Sequence, residues 1–151
     1  NDGDHIWRTN DSTERMRLLQ EGRLGIADSS PTQTFDVTGT IGLADKLVMS
    51  NTAPTVSGFG TSPSVPASNG TVAFTINVGT GGTASTGTIT FPGATTSWVV
   101  ECNDVTTPAS FKTDQTGGTT TTATVTNYSR TTGLETALAA SDVLRCLAFA
   151  Y

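Results

Sequence analysis

From residue 71 to residue 78 every second side chain is large and apolar: Val72, Phe74, Ile76 and Val78 alternate with threonine, alanine and asparagine. A two-residue period sends one set to each side of an extended backbone, whereas a helix would scatter the same set around its axis. The pattern returns over 88–91, over 97–102 with Trp98, Val100 and Cys102 together, and over 111–115, 122–128 and 143–151. Six strands at such spacing are the mark of a β-sandwich or jelly-roll. Composition agrees: 31 of the 151 residues are threonine and 16 are glycine, while charged residues reach only 14%. Threonine is stiff at χ1 and suits a pleated surface, and glycine serves the turns between strands. The glycine- and threonine-rich stretches 79–83 and 116–120 read as turns. Residues 134–140, with Leu134 and Leu138 one helical repeat apart among alanines, read as one or two helical turns. The last run, 143–151, is apolar to its end and so belongs in a sheet centre or at a subunit interface rather than at an exposed edge.

Charge divides the chain. Residues 1–50 carry 13 charged side chains (8 acidic, 5 basic), and the other 101 carry 8 (5 acidic, 3 basic). The junction is expected at 50–54, where polar residues and Pro54 interrupt an apolar stretch. In the first module the apolar residues come in short period-two bursts: Ile6 and Trp7, Met16 and Leu18, Leu24 and Ile26, then Phe35 and Val37 running on to Ile41 and Leu43. Glycines 22, 25, 39 and 42 and the pair Ser30, Pro31 punctuate them. A helix over 12–20 is the competing reading, from the capping signal at Ser12 and the spacing of Met16, Leu19 and Gln20; Gly22 and Gly25 argue against it. A segment of this size is too small to exclude water alone and has no cysteine or metal cluster to staple it. A closed threefold or similar assembly would pool Met16, Leu18, Leu24, Ile26, Phe35 and Val37 of several copies around one axis.

A net charge of −5 with 8 basic residues against 13 acidic ones argues against a phosphate backbone as the natural partner and disfavours an anionic membrane. No apolar run is long enough for a helix to span a bilayer. Residue 1 is asparagine and no leader-like stretch follows, so the chain reads as part of a longer protein. Cys102 and Cys146 each stand in an apolar run and read as buried thiols packing like small hydrophobes; a bridge between them is the alternative.

Candidate chemistry is sparse. The single histidine, His5, lies beside Asp2 and Asp4; this trio reads as solvated rather than as a metal site. Glu101 and Asp104 flank one strand end, and a carboxylate pair is what glycoside hydrolysis needs, but they read as a surface charge and a turn residue. No catalytic residue, metal ligand or cofactor is expected. Flat rings beside short hydroxyl and amide groups suit sugar recognition, which singles out Phe59 between Gly58 and Gly60, Tyr128 with Arg130, and Asn103 with Asp104; a core or interface position is the alternative for each, with Phe59 tucked into the sheet by a bulge.

Glu14-Arg15-Met16-Arg17-Leu18, then Arg23-Leu24-Gly25-Ile26, then Ser29-Ser30-Pro31, then Phe35-Asp36-Val37-Thr38-Gly39-Thr40-Ile41 resembles a segment common in bacteriophage tail fibres and related virion proteins. Ala27 stands where that pattern has a second glycine, and Phe35 where it has leucine. Gly58-Phe59-Gly60-Thr61-Ser62-Pro63 and the closing strand to Tyr151 look like the β-rich domain that can end such chains. The resemblance implies an all-β, homotrimeric fibre fragment: an intertwined β stalk over 1–50 and an antiparallel, jelly-roll-like sandwich head over 51–151. Such a virion protein acts outside the cell, adhering to a host-surface glycan or protein without turning it over. The alternative is a structural virion component (head fibre, decoration or baseplate protein); a depolymerising tailspike using Glu101 and Asp104 is the third reading.

Overall fold

The computed structural model describes residues 3–9, 12–43, 52–81 and 84–151. The expected junction at 50–54 lies partly outside them. The chain divides into two compact units, Asn1–Leu47 and Val48–Tyr151. All regular structure among the described residues is β.

The first unit is one four-stranded sheet in the order β1 (His5–Arg8), β2 (Glu14–Leu18), β3 (Leu24–Ile26), β4 (Phe35–Val37). β2 pairs antiparallel with both β1 and β3, which overturns the helical alternative for 12–20. Two neighbouring strands satisfy both edges of the β2 backbone, more than a helix under three turns could offer. β3 and β4 run parallel. Their connection folds back tightly: the Asp28 carboxylate accepts from the Ser30 amide at 2.8 Å, and Pro31 lies fully buried. A Cβ on Gly25 would stand 2.3 Å from the Asp28 carbonyl oxygen, so that position tolerates no side chain. Ile41 and Leu43, expected to continue the last strand, lie beyond its end at Val37 and are exposed.

The first unit buries little among its described residues. Among its described residues only Gly25 and Pro31 are buried. Met16, Leu18, Leu24, Ile26 and Val37 are half-buried within the single chain, while Phe35 is 55% exposed and Trp7 47%.

The second unit has two four-stranded sheets. One has the order β10 (Phe111–Gly118), β11 (Thr122–Ser129), β8 (Thr86–Thr90), β5 (Thr55–Ser57). The other has the order β6 (Ser64–Asn69), β7 (Ala73–Asn77), β12 (Val143–Ala150), β9 (Trp98–Asp104). All pairings are antiparallel. Ile89, Ala123 and Val125 from the first sheet share one core with Phe74, Ile76, Val100, Leu144 and Ala148 from the second. The Trp98 ring stacks on Phe91 with centroids 4.3 Å apart, and its indole N–H donates to the carbonyls of Pro92 and Thr120. The closing strand β12 lies between β7 and β9, away from a sheet edge.

Four local expectations are corrected. Cys102 and Cys146 are joined in a disulfide, both buried, where β9 and β12 bring them directly opposite each other. Residues 134–140 are not helical. The Asn127 side-chain amide donates to the carbonyls of Thr136 and Ala137, the Thr136 amide returns a bond to the Asn127 carbonyl, and Leu138 alone turns inward. Such bonds hold the segment extended against the end of β11 and deny it the i to i−4 ladder of a helix. Gly117 and Gly118 continue β10 rather than forming a turn, with a bulge after Gln115. Finally, β5 and β6 exist although no strand was expected there.

The sandwich is closed along one seam by side chains. On edge strand β9 the backbone groups of residues 98, 100 and 102 face away from β12, towards β10. The Gln115 carboxamide accepts from the Val100 amide at 2.7 Å and donates to the Trp98 carbonyl at 2.9 Å, and the Thr113 hydroxyl donates to the Cys102 carbonyl.

Candidate functional site

The two outer faces of the second unit differ in chemistry. On sheet β10-β11-β8-β5 the inward positions are Gly87, Ile89, Ala123 and Val125, so register sends threonine outward in rows: Thr122, Thr90 and Thr55; then Thr124, Thr88 and Ser57; then Thr126 and Thr86. Neighbours in a row stand about 4.8 Å apart, and the next pair along a strand about 7 Å away. Each threonine has a rotamer fixed by branching and offers one hydroxyl beside one methyl. The result is a surface of short, pre-ordered hydrogen-bonding groups with no long side chain to immobilise.

At one end of this face lie Tyr128, Lys112, Asp114 and Arg130. Tyr128 and Lys112 are direct cross-strand neighbours, and the ammonium stands 5.1 Å from the ring centroid, within range of a cation–π contact. Lys112 also forms an ion pair with Asp114. The Thr116 hydroxyl bonds that of Thr126 at 2.6 Å, which leaves Thr126 covered. Arg130 is exposed, and its Nε–H donates to the Phe111 carbonyl at 2.8 Å. Tyr128 and Arg130, singled out from sequence, therefore lie at the same end of the hydroxyl-bearing sheet.

Phe59 and Asp104 do not serve as surface contacts. Phe59 is fully buried: Gly58 (φ 78°) and Gly60 (φ 80°) take left-handed conformations that tuck its ring beneath Gly87. Asp104 is 5% exposed. Its carboxylate accepts from the Thr106 and Thr107 amides at 2.8 and 2.9 Å and from the Thr107 hydroxyl at 2.9 Å. Its neighbour is Asp142, likewise buried, whose carboxyl is pushed above the usual carboxylate range by burial and by the charge of Asp104 and the hydrogen bond to it. Asp142 thus holds a proton more tightly than a solvated carboxyl would. Sequence reasoning missed this pair because the two residues stand far apart in the chain. Glu101 faces the opposite side of β9 from Asp104, so those two carboxylates share no groove.

Asn103 belongs to the other outer face, on sheet β6-β7-β12-β9. There it borders an open concavity of about 580 Å³ with Ala67, Ala73, Thr75, Arg145 and Leu147. In the first unit, Asp4 accepts from the Arg17 guanidinium at 3.2 Å and from the Gln20 amide at 3.3 Å. His5 lies beside Trp7, with ring centroids 6.2 Å apart. No cluster of three metal-ligating side chains occurs among the described residues.

A scan against protein-family models, a search of curated proteins and a search of solved structures each found no match.

Proposed function

We propose that the chain is the distal part of a homotrimeric bacteriophage tail fibre, with an intertwined β stalk over about 1–50 and a jelly-roll-like sandwich head over about 51–151 that adheres to a host cell-surface glycan or protein. One observation carries the reading: the described residues of the first unit bury only Gly25 and Pro31, while Trp7, Ile6 and Phe35 stay in water. A small sheet whose four strands fully bury no apolar side chain gains stability by sharing Met16, Leu18, Leu24, Ile26, Phe35 and Val37 with other copies. The tail-fibre-like motif covers the same strands. The jelly-roll-like description is supported by the chain path, which crosses between sheets at β5–β6, β7–β8, β8–β9, β9–β10 and β11–β12.

Receptor binding, rather than a purely structural role in the virion, is favoured by the threonine face and by Tyr128 and Arg130 at one end of it. Three weak sites on one particle would act together through tethering. Binding of the full chain to an array of bacterial surface polysaccharides, with loss of at least fivefold in Tyr128→Ala, supports the reading. Absence of binding to any polysaccharide or to bacterial cells returns the protein to the structural class, and new reducing ends on a bound polysaccharide would make it a depolymerase.

A further inference from the structure

The exposed apolar surface of the second unit is segregated. Its exposed large hydrophobic side chains among the described residues are Val99, Val105, Leu134, Leu147, Phe149 and Tyr151. All but Leu134 belong to β9, to β12 or to the residue that follows one of them. The even-numbered positions of β12, Leu144, Cys146 and Ala148, are buried in the core, so the odd-numbered ones point away from it. Phe149 is paired directly with Val99, and Leu147 with Glu101. These five side chains leave on the order of 500 Å² of apolar surface in water, near the upper limit for a monomer. The opposite face of the sandwich is threonine.

Charge on the apolar face has both signs. The Arg145 guanidinium has no hydrogen bond or ion pair among the described residues, although the side chains of the other two cations of this unit are engaged, Lys112 by Asp114 and Arg130 by the Phe111 carbonyl. Glu101 lies on the same face, two residues along the neighbouring strand from Asn103, the direct partner of Arg145. A surface with one free cation, one exposed anion and a stripe of half-exposed apolar side chains is complementary to itself. Heads tethered to a common stalk would meet one another at about millimolar effective concentration, which no other partner reaches in solution.

Resting on the homotrimeric reading above, we propose that the outer face of sheet β6-β7-β12-β9 is where the heads pack against one another. Val99, Leu147 and Phe149 of one copy cover those of the next, and Arg145 reaches Glu101 of the adjoining copy. The concavity beside Ala67 and Ala73 receives a protruding side chain from that copy. With the polar rim added, the patch approaches the roughly 800 Å² per partner that a stable interface buries.

Both native cysteines are in the disulfide, so a cysteine introduced elsewhere is the only thiol. The test is maleimide labelling of the full chain carrying Val99→Cys or Leu147→Cys, compared with Thr90→Cys on the threonine face and Leu134→Cys off both faces, with particle mass measured by light scattering. Near-parental Trp98 fluorescence checks the fold. The expected result is three chains per particle and labelling of Val99→Cys and Leu147→Cys at least tenfold slower than of the controls. Arg145→Glu should restore fast labelling of Val99→Cys, and adding Glu101→Arg should slow it again. Three chains per particle with all four thiols labelled alike overturns the interface and leaves the fibre reading standing. Two chains with slow labelling keeps the face and overturns the threefold assembly. One chain at micromolar concentration removes both.

Discussion

Phe59 keeps its place in the core because Gly87 has no side chain. A Cβ there would come within 2.4 Å of the Phe59 ring. Gly87→Ala should therefore destabilise the second unit by about 1–3 kcal/mol through overpacking. Phe59→Ala should cost about 3–5 kcal/mol through the cavity it leaves. Urea midpoints followed by fluorescence in a Trp7→Phe background, where Trp98 is the one tryptophan left, would measure both. Ala27 presents the reverse case. It takes a left-handed φ of 53° at the position where the tail-fibre-like pattern has glycine. A left-handed conformation strains an L-residue, and glycine gives back part of the gain through backbone entropy, so Ala27→Gly should stabilise the first unit by roughly 0.5–1 kcal/mol. Asp142 sets a pH dependence. Its carboxyl titrates above the ordinary carboxylate range in the folded chain, so folding favours the protonated form. That contribution is complete below the unfolded value of about 4 and is lost as pH rises through the higher folded value. Asp142→Asn should therefore be more stable than the parent at pH 7, with the difference vanishing on acidification below about pH 4. Thermal melts across that range would show the two curves converging; a gap independent of pH would contradict the assignment.

At the level of strands, six of the eight in the second unit were readable from a two-residue period in side-chain character, and burial follows that alternation in β7, β9 and β12. β5 and β6 were not. Each offers a single partly buried hydrophobe to the core, Val56 and Val65, and β6 also contains Pro66 within a bulge. Proline lacks an amide hydrogen, so a strand that contains it belongs at an edge and leaves little trace in a hydrophobic pattern. The disulfide was equally hidden, because thiol and half-cystine look alike inside an apolar run. Only the pairing of β9 with β12 shows that Cys102 and Cys146 are opposite. Reducing it should lower the stability of the second unit by about 2–4 kcal/mol, measurable as a fall in urea midpoint with dithiothreitol. Of the candidate contacts, Asn103, Tyr128 and Arg130 reach the surface; Phe59 is buried beneath Gly87, which lies far along the chain, and Asp104 is a turn residue buried with its carboxylate bonded to Thr106 and Thr107. Within the seam, Gln115→Ala strands the Val100 amide and Trp98 carbonyl and should cost about 1–3 kcal/mol, whereas Asp114→Ala next door, at an exposed ion pair, should cost under about 1 kcal/mol.

Across the whole molecule, apolar surface is left over in two regions: most of the first unit, and one outer face of the second. If both are covered by copies of the same chain, stability becomes a function of protomer concentration. Thermal unfolding followed over a hundredfold dilution should show a falling midpoint for the first unit; a midpoint unmoved by dilution would mean that its half-exposed sheet is sufficient alone. The seam between β9 and β10 bears on how such copies can touch. The amide of Val100 and the carbonyls of Trp98 and Cys102 are already bonded to Gln115 and Thr113, and on edge strand β6 Pro66 has no hydrogen to donate. Strand addition by a neighbouring chain is therefore disfavoured along β9 and at the Pro66 position of β6. Crowded face to face over this sheet, heads would meet through side chains rather than through the edges at β9 and Pro66, and such a cluster could stay separable where an added strand would invite runaway polymerisation.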